Sequence, residues 1–128
     1  MIQELMETFC TVAEANCKLD YNISLKELKA EGGIYAEAGK GFTETKTYGK
    51  NVTVKIPILI LMRESNQTKC ISNLEAICSY FERLKKYPTA NSFKWLDAEV
   101  TESVNKIARD ADGTYHYSCI ITCSLYIY

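Results

Sequence analysis

Few of the 128 residues could do chemistry, and the single histidine, His116, is the first to weigh. It sits in the alternation Tyr115-His116-Tyr117 with no serine or cysteine elbow beside it, so a nucleophile and base pair has no support. A place on a sheet surface is the plainer reading. Asp110 and Asp112, with Glu102 nearby, are the residue type that holds Mg²⁺ or moves protons, but either task needs carboxylates converging on one point. Asp110-Ala111-Asp112-Gly113 ahead of a strand is what turn geometry selects. Gly39-Lys40-Gly41 lacks the glycine and lysine spacing of a P-loop and does not lead from a strand into a helix, so it reads as a mobile loop. The six cysteines (Cys10, Cys17, Cys70, Cys78, Cys119, Cys123) make neither a CxxC nor a Cys/His cluster with zinc spacing. They read as reduced, buried, small apolar residues on two helices and a strand. No catalytic residue, cofactor or metal ligand emerges.

Charge narrows the field further. With 15 basic and 16 acidic side chains scattered along the chain, the net charge of −1 offers no basic field for nucleic acid. Arg83, Lys85 and Lys86 crowd the end of a predicted helix, where cations suit its dipole, and the tyrosines of the last strand make only a weak case for base stacking. Glu4 and Glu7 occupy the segment where a secretory signal carries positive charge, and no apolar run approaches the ~20 residues of a membrane span. A soluble chain made in the cytosol is expected, so the three N-x-S/T tripeptides, at Asn22, Asn51 and Asn66, are chance matches.

The elements follow from periodicity. Ile2, Leu5, Met6, Phe9, Val12, Ala13 and Cys17 recur at three- and four-residue steps, which predicts an amphipathic helix over 2–17. Leu25–Ala30 suits a helical turn stopped by Gly32-Gly33; Ile34–Ala38 and Phe42–Tyr48 suit strands, and Tyr48-Gly49-Lys50-Asn51 a turn. Val52–Arg63 is the strongest strand, with Val52, Val54, Ile56, Ile58, Ile60 and Met62 on one face and Thr53, Lys55, Pro57, Leu59, Leu61 and Arg63 on the other. Pro57 implies a sheet edge, a bulge, or a vacant side turned outward. Ser65 or Asn66 caps a helix that runs to about Lys86 before Tyr87-Pro88. Phe93–Thr101 reads as a strand with Phe93 and Trp95 on one face and Leu96, Ala98 and Val100 on the other; Thr114–Tyr128 is the last. The length suits one domain over 1–128, and the order (helix, short strands, long strand, helix, two strands) gives an α+β fold: a mostly antiparallel sheet with two main helices packed on one face.

Two features exceed a bland domain. At ~3.3 Å per residue the final strand spans roughly 50 Å, more than the ~35–40 Å width of a compact domain this long, so it bends or protrudes. Leu59, Leu61, Ile120, Tyr126 and Tyr128 also add apolar surface on the face away from the helices, which makes association through the sheet a candidate unless the first helix covers it.

Gly33-Ile34-Tyr35-Ala36-Glu37-Ala38-Gly39-Lys40 after a leading helix, the turn at Tyr48–Asn51, and a long strand ending in Met62-Arg63-Glu64-Ser65-Asn66 resemble the phage minor capsid and tail-terminator proteins. The likeness extends to a helix over Gln67–Lys86 and a closing pair of strands, and so covers nearly the whole chain. It departs at the glycine loop, where family members often carry a proline-containing string. The resemblance implies structural work in the virion tail of a long-tailed phage or in a headless, phage-tail-like bacteriocin particle, assembled in the bacterial cytoplasm. Such proteins form a ring, usually of six copies, that ends tail-tube polymerisation and forms a junction to the head connector, sheath or collar. The implied partners are further copies of the chain and the tail tube protein, with no membrane, no cofactor and no specific nucleic acid, although DNA would pass through the lumen. Phe42, Glu44, Lys46, Tyr48, Leu59, Leu61, Tyr126 and Tyr128 become the expected oligomer or tube interface. The alternatives are another neck or head-completion component, or a small ligand-binding regulatory α+β domain; an enzyme has no motif to rest on.

Overall fold

In a computed structural model, which describes residues 2–26, 32–46 and 52–127 and only the backbone course of 42–46, two helices lie against a six-stranded sheet. The elements are α1 (Ile2–Asn16), β1 (Ile23–Ser24), β2 (Gly33–Ala38), β3 (Phe42–Lys46), β4 (Val52–Glu64), α2 (Gln67–Arg83), β5 (Phe93–Arg109) and β6 (Tyr115–Ile127). Strand order is β1-β2-β4-β6-β5, with β3 pairing β4 beyond the end of β2, and only the β1–β2 pair is parallel. The fold is therefore the expected α+β sheet, largely antiparallel, with both helices on one face. The helical turn expected at 25–30 lies mostly outside the described residues, as does the turn at 48–51; the short parallel β1 had no sequence signal.

Parity decides which face is buried. Ile56, Ile58, Ile60 and Met62 of β4 and Tyr117, Cys119, Ile121, Cys123 and Leu125 of β6 all point beneath the helices and are almost wholly shielded from water. Asn66 caps α2 by accepting from the amides of Thr68 and Lys69, at 3.0 and 3.3 Å, so its helical stripe begins in register with the sheet below. Helix α2 ends at Arg83, three residues before the expected Lys86, and Leu84 turns extended. Phe9 of α1 stacks on Phe81 of α2 at 4.3 Å, and Phe81 on Trp95 of β5 at 5.8 Å, so one aromatic column joins both helices to the sheet.

Strand β5 differs most from expectation. It continues to Arg109 rather than ending near Thr101, and its register against β6 slips at four places. The first slip, between Trp95 and Asp97, inserts Leu96 as an extra residue, so Ala98 and Val100 rejoin Phe93 and Trp95 over the core instead of opposing them. Leu96 is ejected and 42% exposed. Alternation alone cannot report a bulge, because one inserted residue inverts every assignment after it.

Pro57 belongs to an interior strand, between β2 and β3 on one side and β6 on the other. It falls in the gap where β4 changes partner from β2 (Ala38↔Ile58) to β3 (Phe42↔Lys55), so no ladder donor is required of it there. Gly39 crosses this gap and donates its N–H to the Pro57 carbonyl at 2.7 Å; a Cβ on Gly39 would stand 3.0 Å from the proline ring. The long terminal strand is matched residue for residue by β4, from Val52↔Ile127 to Glu64↔Tyr115, and needs no second chain to pair it.

The N-terminal connection is held by polar groups. Glu64, only 8% exposed, accepts hydrogen bonds from the Tyr21 hydroxyl and from the Ser65 amide at 2.9 Å and hydroxyl at 3.0 Å. Gly32 approaches this pair with φ +126°, where a Cβ would lie 3.1 Å from the Tyr21 oxygen. The Tyr21 hydrogen bond, with help from Ser65, holds the Glu64 carboxyl below the usual carboxylate range, and the same bond pushes the Tyr21 phenol up to about 12. Because the folded pKa of Glu64 lies below the unfolded one, its contribution is complete above about pH 4.3 and is lost as pH falls through the folded value. Glu64→Gln is expected to lower stability by about 1–3 kcal/mol at pH 7 and to shrink that deficit toward pH 3, as read by urea unfolding at the two pH values. An equal deficit at both would remove Glu64 from the acid limb.

Candidate functional site

Among the described residues no layer covers the face opposite the helices. Helix α1 packs with α2 on the buried side, so the alternative in which it shields the second face does not hold. Across β2, β4 and β6 the open face presents Tyr35, Leu61 and Ser118 in one row and Glu37, Leu59 and Ile120 in the next. Pro57 and Thr122 follow, and Thr122 takes part in a 2.9 Å hydroxyl contact with Thr101 of β5. Leu59, Leu61, Tyr35 and Ile120 are half-buried, while Ser118 and Thr122 on the same face are buried.

Of the expected interface residues, Leu59 and Leu61 share this cluster. Tyr126 lies on the same face, opposite Thr53 and Lys94, but six positions along β6 from Ile120, roughly 20 Å at strand spacing. The three do not form one contiguous patch. Phe42, Glu44 and Lys46 lie on β3, beside the first residues of β4, so the backbone places them at the end of the sheet nearer Tyr126. Tyr48 and Tyr128 lie outside the described residues. Pro57 joins the open face as its parity with Leu59 and Leu61 predicts, and Tyr35 joins it without having been expected there, placed by its pairing with Leu61 across the β2–β4 ladder.

A polar cluster closes the other end. Asp110 accepts from Arg63 Nη2 at 2.9 Å and meets His116 Nε2 at 3.0 Å, tying the β5–β6 turn to β4. His116 thus sits on the sheet surface, as its alternation predicts, and its ring has a partner. The turn itself is as expected: the Gly113 amide donates to the Asp110 carbonyl at 3.0 Å, and Asp112 Oδ1 accepts from the Thr114 amide at 3.0 Å. That amide bond holds the Asp112 carboxyl below its usual range. Glu102 pairs with Ile120, away from the turn, so the three carboxylates do not converge. Among the described residues no group of three or more His, Cys, Asp or Glu side chains could hold a metal ion.

The thiols are packing elements. All six are free; five are buried and Cys17 is half-buried. Burial pushes Cys10 up to about 12 and Cys70 up to about 11, while the neighbouring Cys78 thiol and then burial push Cys119 up, so these groups stay protonated and weakly nucleophilic at neutral pH. Among the described residues no helix is long and apolar enough to cross a membrane. No family model matches the chain, and no curated protein matches it.

Proposed function

We propose that this chain is a structural subunit that caps a tail tube as a ring, six copies being the number the resemblance implies. The ring ends tube polymerisation and forms the junction to a head connector, sheath or collar, in a phage tail or a phage-tail-like particle. The observation that carries this reading is the sheet face that none of the described residues covers. A sheet of three long strands with both helices on one side, and with Leu59, Leu61, Tyr35 and Ile120 clustered on the other, is suited to burial by another protein. Its net charge of only −1 suits contacts fixed by shape and paired charges.

Light scattering after gel filtration, followed by negative-stain imaging, is the test. Closed rings with a central opening are expected; a monomer at every concentration would sink the proposal. The ligand-binding alternative has one feature in its favour, a recess of about 300 Å³ lined by Leu61, Ile107, Ala108, Asp110 and His116, at the lower end of ligand-pocket size. A monomer whose melting temperature rises with a metabolite would favour that reading.

A further inference from the structure

Two grooves border the same edge strand and carry opposite charge. The first, about 510 Å³, runs between α2 and β5: Glu75 and Glu82 stand along the helix, and Cys78, Val100 and Val104 line it. Among the described residues no basic side chain lines it. The second, about 530 Å³, lies past the end of α2, where Lys85, Lys86 and Lys94 line it with Tyr87, Trp95 and Leu96, and no acid is among the described residues of its lining. All five charged residues are exposed, and the ion pairs found among the described residues, Arg63–Asp110 and His116–Asp110, involve none of them. Among the described residues, neither set of charges has an ion-pair partner.

We infer that the two grooves are the two halves of a contact between copies of this chain, the lysine groove of one copy seating against the glutamate groove of the next. The inference rests on the ring reading and gives it a specific interface. Because the halves are different surfaces of one molecule, the contact is head-to-tail: each copy uses both, and repetition gives a closed ring or an open filament rather than a two-fold dimer. Apolar complementarity runs the same way. The bulge between Trp95 and Asp97 turns Leu96 out at the rim of the lysine groove, 42% exposed, while Val100 and Val104 lie half-buried on the wall of the acidic one. Strand addition along β5 is a poor competitor, because four register slips break the row of free backbone groups that a new strand would need. The grooves join neighbouring copies and leave the open sheet face free for the tube.

Mixing charge-reversed chains tests the pairing. Lys85→Glu/Lys86→Glu/Lys94→Glu makes both grooves acidic, and Glu75→Lys/Glu82→Lys makes both basic, so neither variant can pair with itself. Each is expected to run as a monomer at concentrations where the unaltered chain assembles, and an equimolar mixture is expected to recover the assembled species by light scattering. All five positions are exposed, so the variants should melt within a few degrees of the parent; if either does not, Lys94→Glu and Glu82→Lys alone are mixed instead. Variants that assemble unmixed, or a mixture that stays monomeric, overturn the pairing while leaving the ring standing. An unaltered chain that never assembles overturns the ring itself, and the pairing with it.

Discussion

Phe81→Ala is expected to lower unfolding free energy by about 3–5 kcal/mol, a large share of the ~5–15 kcal/mol by which domains are stable. Phe81 is wholly buried, stacked 4° from parallel on Phe9, 18° from parallel on Trp95, and met edge-on by Tyr80. Truncation removes a ring where α1, α2 and β5 meet, and none of the three elements can close the gap without leaving its other contacts. The lost stacking adds to the lost burial. Urea unfolding of Phe81→Ala and Phe81→Leu checks this, with the leucine variant expected to retain more than half of the loss; an alanine variant within 1 kcal/mol of the parent would show that the column is not the junction of the helices and sheet.

The second large effect is expected at Asn73, a buried amide 2% exposed on α2. Its Oδ1 accepts from the Asp20 amide at 2.8 Å, and its Nδ2 donates to Asp20 Oδ2 and to the Lys69 carbonyl, each at 2.7 Å. The amide pins the segment after α1 to the helix that covers the sheet. Asn73→Asp keeps the shape but replaces two donor contacts with acceptor against acceptor, and places a buried charge beside the Asp20 carboxylate. A deficit of about 3–5 kcal/mol is expected at pH 7, as for other uncompensated buried charges. In that variant burial and like charge raise the new carboxyl's folded pKa above its unfolded value, so protonation favours the fold and the deficit should shrink as pH falls. A deficit independent of pH would mean the loss comes from packing alone.

Much of the fold was legible because the relevant signals are local. Every second residue from Val52 to Met62 is apolar, α2 has a capping asparagine and a clean apolar stripe, and the Asp110–Gly113 turn carries residues that turn geometry selects. The far half of β5 was not legible: Thr101–Arg109 is mostly polar and exposed, and three of the strand's four register slips fall there and destroy the period by which strands are recognised. The side of the sheet that α1 chooses was equally hidden, since its stripe fits either apolar face. For the candidate surface, parity placed Leu59 and Leu61 together, but nothing local could separate them from Tyr126, which shares their face and lies far along the strand.

The sequence by itself determined the types of the main elements, the buried faces of β4 and β6 and the absence of a familiar catalytic motif, because side-chain period and turn chemistry act within a few residues. Only the tertiary structure decided that the long terminal strand finds its full-length partner inside the chain, that a one-residue bulge returns Ala98 and Val100 to the core while turning Leu96 out, and that glutamates of one groove and lysines of another stand along the same edge strand. Those outcomes depend on register between segments up to 75 positions apart, as Val52 and Ile127 are, and register is fixed by the packing of the whole sheet against both helices.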